Sequence, residues 1–148
     1  TMNRQNNYVK INGEIASELM INCLTAARLG VPVRLVTGDR GLCDWIRSVN
    51  PNIETVAVSE GRGRGSISIH PNVARMQIRQ RANQAMLNPH LDRMFPLPKH
   101  FDVEINFKEH AKAKNATSYP GVVQDGATTV RYQADEYFDV LRMLDWVL

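Results

Sequence analysis

Thr1 stands first in the sequence, and an N-terminal threonine combines two reactive groups in one residue. Its hydroxyl is a nucleophile, and its free α-amine, with a reference pKa of about 7.7–8.0, accepts the proton at neutral pH. Asn3, Asn6 and Asn7 follow closely and offer side-chain amide donors for the oxyanion that such an attack creates. Glu18 opens an apolar helical pattern, where the helix dipole stabilises a carboxylate by roughly 0.3–1 kcal/mol whatever its function. Arg62 and Arg64 lie in Gly61-Arg62-Gly63-Arg64-Gly65, a flexible basic loop whose guanidinium forks suit a substrate carboxylate, and a merely solvated loop accounts for the same residues. The spacing is neither a Rossmann nor a P-loop signature. His70, His90, His100 and His110 form no HxxxH or HExxH pattern, so each reads as a surface or helix-end residue. Cys23 and Cys43 form no CxxC and read as small buried thiols of a reduced compartment.

These residues need a scaffold, and the hydrophobic pattern supplies one. Tyr8–Ile11 alternates like a strand and runs into Asn12-Gly13, a strong two-residue hairpin signal. Ser17 suits a helix N-cap, Leu19, Met20, Cys23, Leu24 and Ala27 recur at helical spacing, and Gly30 ends the helix. Val31–Val36 reads as a buried strand, Thr37-Gly38-Asp39 as a turn, and Gly41–Ser48 as a second helix. Asn50-Pro51-Asn52 breaks the pattern before a strand over Ile53–Val58. His70-Pro71 starts a long helix with Val73, Ile78, Ala82, Ala85 and Met86 on its apolar face, and Asn88-Pro89 ends it. An extended connector at Pro96 and Pro98 leads to a strand over Val103–Phe107 and a short charged helix over Lys108–Lys114. After the Tyr119-Pro120-Gly121 turn come a strand over Thr128–Tyr132 and a closing helix carrying Tyr137, Val140, Leu141, Leu144 and Val147. The expectation is one α/β domain over residues 1–148, a mixed sheet with packed helices.

Composition narrows the function. The chain has 148 residues with 18 Lys+Arg against 15 Asp+Glu, which is enough for a single core and gives a net charge of only +3. A domain of this length buries roughly 68–70% of the surface of its unfolded chain and needs no disulfide. The arginines are spread among acids, which argues against nucleic acid, and no apolar run reaches the ~18 residues of a membrane span. The polar first residues are no signal peptide, so a cytoplasmic protein is expected.

The order of landmarks resembles one known family. Ile11-Asn12-Gly13, Ser17-Glu18-Leu19-Met20-Ile21-Asn22, Gly30-Val31-Pro32-Val33 and Thr37-Gly38-Asp39 are similar to the C-terminal half of the DppA-like D-aminopeptidases, a family of zinc metallopeptidases. Pro51-Asn52-Ile53, Gly63-Arg64-Gly65, His70-Pro71-Asn72-Val73-Ala74, Pro120-Gly121, Thr128-Thr129-Val130 and Tyr132-Gln133-Ala134 continue in the same order. The resemblance implies that Glu18 is a zinc ligand. The remaining ligands, an Asp, a Glu and two His, together with a catalytic His, would then come from an N-terminal half that this sequence does not contain. It implies equally that the sheet is completed by a separate N-terminal chain, that the assembly is a homo-oligomer, and that the substrate is a small peptide or amide.

In that register Thr1 falls just after the catalytic His, which leads to the expectation that a precursor is cut, by itself, before Thr1. The protein would then be an amide- or peptide-bond hydrolase or acyl transferase subunit with Thr1 as nucleophile, Asn3, Asn6, Asn7 and Arg64 contacting substrate or oxyanion, and the N-terminal chain of the same precursor as partner. Two alternatives accompany this reading. In one, the chain is half of a zinc-dependent D-aminopeptidase in which Thr1 is only a terminus. In the other, it is a non-catalytic interaction subunit.

Overall fold

A computed structural model describes residues 5–87 and 92–148. These residues form two compact units, one built from the segments up to Arg28 and from Leu97 to Leu148, the other contiguous over Leu29–Pro96. The α/β architecture is the expected one, with the strands divided between two sheets.

The discontinuous unit is a five-stranded antiparallel sheet. Strand β1 (Asn6–Ile11) pairs with β2 (Glu14–Ile15) through the Asn12-Gly13 turn. Positive φ at both turn residues, 51° and 84°, marks a turn whose twist matches that of the strands. Asn12 ties this hairpin to the centre of the sheet. Its Nδ2 donates to the carbonyl of His100 at 2.9 Å, and its Oδ1 accepts from the backbone N–H of Asp102 at 2.7 Å. Helix α1 (Glu18–Arg28) follows, with Ser17 Oγ accepting from the Met20 N–H at 3.1 Å as predicted.

The later strands of this sheet are supplied after Leu97. Strand β6 (Phe101–Phe107) lies between β1 and β8 (Thr129–Ala134), and β7 (Val123–Gln124) closes the far edge. Val9, Ile11, Phe101, Val103, Ile105, Phe107 and Val130 are buried on one face, packed with Tyr137, Val140, Met143 and Leu144 of α5 (Tyr137–Val147). The short helix α4 (His110–Ala116) covers the same sheet. Tyr137 fastens α5 to α1: its ring sits 5.3 Å from that of Phe101 and its hydroxyl donates to the Ile21 carbonyl at 2.8 Å.

The contiguous unit is a three-stranded sheet in the order β3-β4-β5. Strand β3 (Leu35–Asp39) and β4 (Glu54–Arg62) are parallel, joined by α2 (Arg40–Val49), and β5 (Gly65–Ser68) is antiparallel to β4. The strand expected over Val31–Val36 begins four residues later. Pro32 has no N–H to give a ladder, and Val31 is half exposed. Strand β3 instead extends through Thr37 and Gly38 to Asp39, which caps α2 by accepting from the Leu42 N–H at 3.0 Å. Nor is the glycine-arginine stretch a flexible loop. It is a hairpin whose turn is Gly63-Arg64, Gly63 having φ 59°. Helix α3 (Pro71–Leu87) packs on β3 and β4, and its Ala85 carbonyl accepts from Arg34 at 3.1 Å. Of the apolar face expected for α3, Ala85 is buried, whereas Val73 and Met86 are exposed. The Asn88-Pro89 ending lies outside the described residues.

Candidate functional site

Glu18 is the first residue of α1, and its carboxylate is exposed. The Ser17 cap fixes the helix start, so the glutamate leaves a rigid element at the positive end of the helix dipole. Such a carboxylate is suited to serve as one oxygen ligand of a cation. Among the described residues no three His, Cys, Asp or Glu side chains converge to hold a metal ion. The donor chemistry at Glu18 therefore fits one ligand of a zinc site, and the described part of the chain does not complete that site.

The other predicted site residues are distributed as follows. Asn6 begins β1 opposite Phe107, and the register shift that follows makes Asn7 the extra residue of a bulge. The Asn7 amide donates to Asn106 Oδ1 at 2.7 Å and to the Phe107 carbonyl at 3.4 Å, so its donors hold β6 in place. Thr1 and Asn3 lie outside the described residues. Arg64 occupies the tip of the β4–β5 hairpin in the contiguous unit and is exposed. His70 caps α3, its Nδ1 accepting from the Asn72 N–H at 3.2 Å. Burial pushes the Cys23 thiol up to about 11 and raises that of Cys43, so neither is a thiolate at neutral pH.

A polar constellation on the discontinuous unit was not foreseen. On the sheet face opposite the core, Arg131 of β8 donates to Glu104 Oε2 at 2.7 Å, to Asp125 Oδ2 at 2.5 Å and to Asp102 Oδ2 at 3.5 Å. Lys10 Nζ lies 3.8 Å from Glu104 and 4.7 Å from the Tyr8 ring centroid. Tyr8 donates to Glu104 Oε1 at 2.8 Å, and that hydrogen bond, helped by burial, raises its pKa above the ordinary tyrosine value. Lys10, Asp102, Glu104 and Arg131 border a cavity of about 230 Å³. Every carboxylate in it faces a cation, which makes the constellation a lattice of ion pairs holding three strands in register. The signal was present in the sequence as Asp102 and Glu104 on the polar phase of β6, but the cation that joins them comes from β8.

Comparison with known proteins gives these positions a context. A family model described as D-aminopeptidase, of the M55 peptidases, matches residues 1–146. A D-aminopeptidase of Bacillus subtilis (strain 168) is 28% identical over 138 residues, covering 90% of this chain and 50% of the relative. Among solved structures, the zinc-dependent D-aminopeptidase DppA from Bacillus subtilis, described as a self-compartmentalizing protease, superposes with a TM-score of 0.84 at 24% identity. That match covers 99% of this chain and 56% of the other, a likeness of fold. The chain thus spans about half the length of the relatives it matches.

Proposed function

The chain belongs to the D-aminopeptidase family of peptidases, and from that premise we propose that it is the C-terminal half of a zinc-dependent D-aminopeptidase. The substrate class is a small peptide beginning with a D-amino acid, and the reaction is hydrolysis of its first amide bond. The observation that carries the reading is Glu18, an exposed carboxylate on the first residue of a capped helix, in a chain that the family model matches over residues 1–146. Glu18 is one ligand, and the others come from residues outside this sequence. Zinc, when bound, supplies Lewis acidity toward the scissile carbonyl. What this chain contributes is a carboxylate held at a fixed place, so that the ion's position is set by α1 and its packing.

The partners are the N-terminal half and further copies of the same protein, a choice supported by the relative described as self-compartmentalizing. The Thr1 nucleophile gives way to the zinc reading, because the relatives are described as D-aminopeptidase and as zinc-dependent.

Metal analysis beside peptide hydrolysis tests the proposal. In the intact enzyme Glu18→Gln keeps the shape of the side chain and removes its charge, so bound zinc and activity fall together while the circular dichroism spectrum is unchanged. Thr1→Ala, measured alongside, keeps activity within about two-fold, where loss of a true nucleophile costs orders of magnitude. Full zinc and full activity in Glu18→Gln overturn the ligand role. Loss of activity in Thr1→Ala with zinc retained restores the nucleophile. A wild-type enzyme without zinc or activity leaves only an interaction subunit.

A further inference from the structure

The outer face of α3 has the composition of an interface. The contiguous unit carries nine arginines, no lysine and five acids. Three of those arginines lie on α3, which has no acid at all. Arg81 turns toward the sheet and pairs with Glu54 at 3.0 Å. Arg75 and Arg79, one turn apart, face outward, and among the described residues neither meets a carboxylate; Arg75 donates to Asn72 of its own helix. With Met76, 61% exposed, they border an open groove of about 630 Å³, and Met86 and Leu87 at the end of the helix are 67% and 78% exposed. Arginine and methionine are enriched at protein interfaces and lysine and acids depleted, which is the pattern found here.

The discontinuous unit presents the complement. Trp146 on α5 is 70% exposed, beside the exposed Asp145. Asp135 and Asp139 lie on the same segment, paired to His100 and Arg142 respectively, so its balance is acidic. An indole face attracts guanidinium groups and methionine sulfur, and a neighbouring carboxylate completes an arginine fork. Two α3 faces set against each other would oppose arginine to arginine, so a copy of α3 is the wrong partner for α3.

We infer that the Arg75–Met76–Arg79 face of α3 docks on the Trp146–Asp145 face of α5 in a second copy of this chain. Because the two surfaces differ, the contact is head-to-tail and repeats from copy to copy, closing as a ring or continuing as a filament according to its rotation. This rests on the assembly reading above and assigns surfaces to it.

Sedimentation velocity on the intact enzyme tests the contact. Trp146→Ala and Arg79→Glu each shift the assembled species toward smaller ones, raising the midpoint concentration of assembly about tenfold or more. Asp145→Arg does the same, and Arg79→Glu combined with Asp145→Arg recovers assembly, since the charge pair is restored with its sign reversed. Circular dichroism establishes that each variant is folded; should Arg79→Glu not fold, Arg79→Ala takes its place. A wild-type enzyme that sediments as one copy overturns the assembly reading together with the contact. Assembly that persists unchanged in every variant overturns the contact alone. Wild-type α3 holding a DNA oligonucleotide at physiological salt, lost in Arg79→Glu without any change in sedimentation, makes the face a nucleic-acid surface and overturns the contact as well.

Discussion

Replacing Asn12 separates two demands that its place in the hairpin makes together, a left-handed backbone and two side-chain hydrogen bonds to the start of β6. Asn12→Ala loses both and lowers stability by about 1–3 kcal/mol in urea unfolding. Asn12→Gly keeps the backbone and loses the side-chain bonds alone, so its loss is smaller; equal losses would mean that the left-handed backbone contributes nothing and the side-chain bonds carry the whole effect. The same residue shows what was legible in the sequence. Asn12-Gly13, the Ser17 cap and the glutamate behind it are read from adjacent residues, because turns and helix starts are local events. The Arg131 constellation joins residues from Lys10 to Arg131, and no local pattern announces that three strands will bring them together.

Helix α5 owes its place to Tyr137, which is 1% exposed and whose hydroxyl bonds to α1. Burial pushes this phenol from its ordinary 10.0 up to about 12. The folded protein therefore holds the phenol proton more tightly than the unfolded chain does, and the stability this contributes is complete below pH 10 and fades toward pH 12. Melting temperatures measured between neutral pH and pH 11 fall more steeply for the wild type than for Tyr137→Phe, which has no proton to lose. Parallel slopes would place the alkaline sensitivity elsewhere. Elements with a clear apolar phase, β1, β6, α1 and α5, lie where periodicity puts them, since one buried face leaves them no choice. Strand β3 and the outward side of α3 differ from the expectation for the opposite reason. Val31, Val73 and Met86 are apolar without being buried, and hydrophobicity alone does not say whether a residue faces the core of its own chain.

Glu18, the polar sheet face and the proposed docking face belong to a molecule whose chain leaves one compact unit and later returns to it. The first unit draws its strands from both ends of the sequence, so that Val9 is paired with Ile105 and Ile11 with Val103. The second uses only the stretch between Leu29 and Pro96. On a ribosome this difference becomes an order of events. As synthesis runs from the N-terminus, the second unit has all its residues in hand once Pro96 clears the exit tunnel, while β1 waits for a partner strand not yet translated. Closing the loop between β1 and β6 costs more entropy in an open coil than around a unit already compact, so early condensation of the middle shortens the search for the ends. Nascent chains stalled with Pro96 just outside the tunnel should protect β4 from protease while Tyr8–Ile11 is still cut, and equal cutting of both would refute that sequence of folding. Until β6 emerges, the hairpin with its Asn12 turn holds Val9 and Ile11 with no sheet to bury them, and it is during that interval, rather than in the folded protein, that a chaperone would have something to hold.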